Sequence, residues 1–69
     1  MKDLTQKQRK VLDFIKAFYK KHSYAPSLAE IAAHFKWASV NASKQYVEVL
    51  VKKGFVVKDS RAHRNIVVL

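Results

Sequence analysis

The chain has no cysteine, one proline, one glycine and only five acidic residues among 69. Without cysteine there is no disulfide framework and no thiolate metal site, so the fold must stand on its hydrophobic core, and a reducing compartment is compatible with it. One proline and one glycine beside 49% hydrophobic residues exclude low complexity, a flexible linker or general disorder. The chain is expected to fold throughout. Long hydrophobic runs are missing as well: no window approaches about 18 uncharged apolar residues, and Met1 to Thr5 does not open an apolar leader. A soluble, cytoplasmic protein is expected.

The shortage of acid has the largest consequence. Fourteen Lys and Arg against five Asp and Glu give a net charge of +9, and a field of that sign gathers polyanions. Nucleic acid is the first candidate partner. An anionic membrane is the rival, but a lipid-surface helix needs a broad apolar face free to leave the core, and no segment here can spare one. A domain of this size buries only about 60% of its unfolded surface, leaving no room for a deep catalytic cavity beside a core. His22, His34 and His63 lack the i, i+4 spacing of a helical metal pair, the five acids are scattered, and Gly54 alone cannot form a phosphate-cradling loop. A binding module is expected, with no enzyme activity, cofactor, metal or small-molecule substrate.

What is present is helical punctuation. Thr5-Gln-Lys-Gln8 and Ser27-Leu-Ala-Glu30 both spell a capping box, in which a hydroxyl and a longer side chain each satisfy one orphan amide. The first predicts a helix over about 6–22, with Val11, Phe14, Ile15, Phe18, Tyr19 and His22 as its apolar stripe and a basic back. Pro26 ends the exit loop, since proline disfavours helical geometry in the residue before it. The second box predicts a helix over about 28–35, with Leu28, Ile31, Ala32 and Phe35 inward. Ser39 caps a third, over about 40–53, with Ser43, Tyr46, Val47, Leu50 and Val51 on the core side. In the turn between these two, Trp37 is expected to plug the junction, and Lys36 stands where such turns often need a glycine.

After Gly54, Phe55-Val-Val-Lys58 and Ile66-Val-Val-Leu69 read as the two strands of a hairpin over about 55–69. Phe55, Val57, Ile66 and Val68, or the alternate set, must pack on the helices, because a hairpin alone is marginal. Three helices closed by a hairpin with a basic tip make a winged helix-turn-helix, mainly α with a small β-hairpin, and residues 1–69 are expected to form one such domain.

In that architecture the third helix is a rod whose outward face reads a DNA major groove. Asn41 and Gln45 lie one turn apart, and either amide can bond an adenine edge in a bidentate way; Ala42 offers a methyl to thymine, and Lys44 can donate to guanine or to a phosphate. Glu48 ranks below these. The competing reading of the face is an ordinary solvated helix surface. Ser27 and Ser39 place two helix N-termini where phosphates can approach. Lys52, Lys53, Arg61, His63 and Arg64 add cations for phosphate contact and for minor-groove insertion by the hairpin tip, with a pH-dependent contact from His63. A different class of function is a winged-helix module that modulates a repressor or the transcription machinery, in which Tyr24, Trp37 and Val49 would matter more than Asn41 and Gln45.

Met1-Lys2, Leu4-Thr5, Gln8, Val11, Asp13 and Ile15, then Pro26, Ala29-Glu-Ile-Ala32, Ser39, Asn41-Ala42, Leu50, Lys53-Gly54, Ser60, Ala62, Arg64, Ile66 and Leu69 resemble the N-terminal DNA-binding domain of the LexA repressors. The resemblance runs the length of the chain without gaps. It implies a repressor domain of SOS-type genes that places helix three in each half of a palindromic operator, with Ser39, Asn41 and Ala42 at or beside base-reading positions. A monomer that pairs on DNA is expected. Lys44 and Gln45 stand where the family commonly has glutamates, Lys36 where it has glycine, Val40 where it has proline, and Arg61 and Asn65 where it has wing glycines. LexA repressors continue into a domain that dimerises and cuts its own linker; a sequence that stops at Leu69 is expected to do neither by that mechanism.

Overall fold

The computed structural model describes residues 4–58 and 66–68. Three helices, α1 (Gln6–His22), α2 (Leu28–Phe35) and α3 (Val40–Lys52), precede two short strands, β1 (Val56–Lys58) and β2 (Ile66–Val68). The strands pair antiparallel, so the architecture is the mainly helical winged helix-turn-helix.

Both capping boxes form. The Gln8 amide donates to Thr5 Oγ1 at 3.1 Å while Gln8 Oε1 accepts from the Thr5 amide at 3.0 Å. At α2 the Glu30 amide donates to Ser27 Oγ at 3.1 Å, and Glu30 Oε1 accepts from the Ser27 amide at 2.8 Å. Ser39 caps α3 differently, accepting from the Asn41 amide at 3.1 Å. Each cap answers part of the orphan-donor problem at a helix start.

The helix ends use left-handed backbone. Ser23 closes α1 at φ 66° and donates its amide to the Tyr19 carbonyl. Lys36 closes α2 at φ 59°, with its amide on the Ala33 carbonyl and the Trp37 amide on that of Ala32. Gly54, at φ 84°, repeats the arrangement after α3, its amide on Val51 and the Phe55 amide on Leu50. Both are Schellman motifs, which satisfy the last carbonyls of a helix and turn the chain sharply. The turn between α2 and α3 is thus made without glycine.

The core draws on every element: Val11, Leu12 and Ile15 from α1, Ala25 from the loop, Ile31 from α2, Val47 and Leu50 from α3, Val56 and Ile66 from the hairpin. Leu12, only 2% exposed, was outside the expected α1 stripe, whereas Tyr19, 44% exposed, and His22 were inside it. The reason is tertiary. α1 packs on the hairpin as well as on α2 and α3, so its buried arc is displaced towards Leu12. The hairpin needs a second correction: its register sets Val56 opposite Val68 and Val57 opposite Val67. Val56 and Ile66 are the buried residues and Val57 is exposed, so the alternate set in β1 faces the helices.

Ser43 also lies in the core. It is fully buried on α3, and its hydroxyl has no hydrogen-bond partner among the described residues.

Candidate nucleic-acid interface

The outward face of α3 is set by what its inward face must bury. Ser43, Val47 and Leu50 are buried, with Tyr46 and Val51 half-buried beside them. At about 100° per residue this turns Asn41, Lys44, Gln45, Glu48 and Lys52 into an arc of about 100° on the other side, with Ala42 and Val49 at its margin. All five are exposed, and Ala42 and Val49 are half-buried. The arc is amide and lysine at its start, with one acid, Glu48, and one further cation, Lys52, near its end. The remaining base-reading candidate, Ser39, is exposed at the tip of the same helix, its hydroxyl engaged in the cap.

The phosphate candidates fall in two groups. Ser27, half-buried, starts α2, the helix that packs most extensively on α3, so two helix N-termini with partial positive charge belong to one helix pair. Lys52 is exposed at the end of α3, and Lys53 is half-buried, its ammonium donating to Gln8 Oε1 at 3.5 Å. Arg61, His63 and Arg64, the expected hairpin-tip cations, lie outside the described residues.

Residues that sequence reasoning did not assign to a site also gather here. Gln8, besides closing the cap of α1, flanks a recess of about 200 Å³ with Gln45, Tyr46 and Val49. That proximity of α1 to the exposed arc of α3 is purely tertiary, and no local pattern announces it. Trp37 packs as a half-buried plug, as its position suggested, stacked on Phe35 at 4.9 Å and on Tyr46 at 5.1 Å. His34 is exposed, yet its ring lies flat on Phe14 at 4.0 Å.

A capped helix with an exposed polar arc, held against a second helix by a tight turn and followed by a hairpin, is the geometry of a major-groove reader. Comparison with known proteins decides the family: residues 1–65 match the family described as the LexA DNA binding domain. The chain belongs to that family. Among curated relatives, the LexA repressor of Thermosipho melanesiensis is 42% identical over 66 residues, covering 96% of this chain and 33% of the relative. The LexA repressor of Petrotoga mobilis is 41% identical over 56 residues, 81% of this chain and 27% of the relative. That of Thermotoga maritima is 46% identical over 56 residues, 81% of this chain and 28% of the relative. The chain therefore spans about one third or less of the length of these LexA repressors, and the part it matches is the DNA-binding one. No helix among the described residues is long and apolar enough to cross a membrane.

Proposed function

We propose that residues 1–69 act as one unit that binds double-stranded DNA in a sequence-specific way, reading one half of a palindromic operator as the DNA-binding part of a LexA-like repressor. The observation that carries this is the exposed arc of α3, where Asn41, Lys44 and Gln45 share a face of a helix capped by Ser39. Asn41 and Gln45 each suit an adenine edge, Lys44 a guanine edge or phosphate, and Ala42 a thymine methyl. Ser27, Lys52, Lys53, Arg61, His63 and Arg64 hold phosphates and fix the register without reading sequence. The protein is a monomer in isolation, works in the cytoplasm and pairs across the two half-sites on DNA. Its genes are of the SOS type.

Lys44 and Gln45 stand in place of the glutamates common in the family, so the preferred half-site differs from that of glutamate-bearing members. The exchange removes two negative charges and adds one positive, which also strengthens non-specific attraction to phosphate.

The test is selection of bound sites from random duplexes, followed by binding of the selected site across a salt series. The selected duplex is expected to bind at least about tenfold tighter than random duplex, with log K falling linearly as log salt rises. Equal affinity for all duplexes at every salt concentration refutes specific reading.

A further inference from the structure

Away from the centre of the reading face, the N-terminal half of α1 and the side of α3 enclose a cleft of about 220 Å³, lined by Lys7, Lys10, Val11, Phe35, Trp37 and Tyr46. Its floor is apolar and its rim carries two ammonium groups. Lys7 and Lys10 are three apart on α1 and therefore share a face, and both are exposed.

We infer that this cleft docks a short acidic segment of a partner protein, one large apolar side chain entering between Val11 and the Trp37–Tyr46 pair while flanking carboxylates meet Lys7 and Lys10. Size decides against a small-molecule site, because sites that enclose such ligands run to about 300–1,000 Å³. This cleft accommodates one side chain. Charge decides the sign of the partner: the chain carries +9, and the rim adds two cations with no acidic residue among the lining side chains.

Ring packing decides between a peptide and an unpaired base. A base binds by covering an aromatic face. Here the Trp37 ring is already stacked on Phe35 and on Tyr46, with interplanar angles of 17° and 10°, and Phe35 also makes T-shaped contacts with Phe14 and His34. The stack is a packed wall, suited to van der Waals contact with an aliphatic or phenyl group. Tyr46 also lines the recess at Gln45, so an occupied cleft lies at the flank of the DNA-reading arc.

Trp37 is the only tryptophan of the chain, which makes the cleft self-reporting. The probe is the peptide acetyl-Asp-Glu-Leu-Phe-Glu-Asp-amide, titrated into the 69-residue chain while Trp37 emission is followed. Two control peptides carry serine in place of the Leu-Phe pair, or amides in place of the four carboxylates. Saturable binding below millimolar concentration is expected, at least tenfold weaker for each control. The variant Lys7→Glu with Lys10→Glu should lose at least tenfold in peptide affinity with an unchanged melting temperature. Three results overturn the inference: no saturation below millimolar, equal binding of the serine control, or displacement of the peptide by pentathymidylate at a tenfold lower concentration. The last would make the cleft a nucleic-acid surface, and the peptide controls decide the matter even if the charge-reversed variant does not fold.

Discussion

Lys36 and Gly54 occupy the same place in two copies of one motif, at φ 59° and φ 84°, each ending a helix by the same pair of amide-to-carbonyl bonds. Glycine holds this conformation without a Cβ penalty, whereas lysine there costs about 1–2 kcal/mol. Replacing Lys36 by glycine relieves that cost and adds about 0.4–1 kcal/mol of unfolded-chain entropy against it. At the midpoints of the two ranges the net gain is about 0.8 kcal/mol. In a domain of this size that raises the melting temperature by about 2–8 °C, measurable by calorimetry. Lys36→Ala, which keeps a Cβ, should give no such rise.

Ser43, whose buried hydroxyl has no partner among the described residues, makes the opposite kind of site, one where polarity itself is the cost. A buried, unpaired hydroxyl forfeits about 1–3 kcal/mol of hydration. Ser43→Ala is therefore expected to stabilise the fold by about 1 kcal/mol in urea unfolding, with an unchanged denaturant slope. Ser43→Val should lose about 1–3 kcal/mol, because the added methyls enter a filled core between α3 and its neighbours.

Thr5 and Ser27 make the same capping box but should respond differently to DNA. Either change to alanine is expected to cost about 1 kcal/mol of stability. Thr5→Ala should leave DNA affinity intact once the folded fraction is corrected for. Ser27→Ala should also weaken binding, to about the same extent on every duplex, since a phosphate contact carries no sequence information.

The base-reading and phosphate-binding roles proposed for α3 should separate by salt. Asn41→Ala with Gln45→Ala should cost about 1–3 kcal/mol for each bidentate amide–base pairing removed and flatten preference at the bases concerned. Lys52→Ala should weaken all duplexes alike and lower the slope of log K against log salt by about 0.9. Fluorescence anisotropy across a salt series resolves both effects.

Much of this was readable from local chemistry. Capping boxes are made of residues three apart, so the starts of α1 and α2 needed no tertiary information. Lys53-Gly54 likewise announced the end of α3. Legibility stopped where distant segments meet. Leu12 is buried because the hairpin packs against α1, and no periodicity within α1 contains that fact. The hairpin face was ambiguous for a different reason: Val56-Val57 and Ile66-Val67 are apolar on both sides, so alternation could not choose between them. The exposed polar arc of α3 was legible as a face because inward residues define it, whereas the cleft at Lys7, Trp37 and Tyr46 depends on α1 meeting α3.

The exposed valines of that hairpin bear on how the protein must be handled. Val57 and Val67 stand opposite each other, 44% and 43% exposed, on a sheet that has two strands among the described residues. Both strands are edges, and an apolar edge invites pairing with another molecule. Mutual repulsion of +9 chains opposes this at low ionic strength, where charges are felt across about 10 Å at 0.1 M salt, but only about 3 Å at 1 M. The brine that strips the protein from DNA is thus also the solvent in which its molecules are least protected from one another, and clumping should begin at the wing.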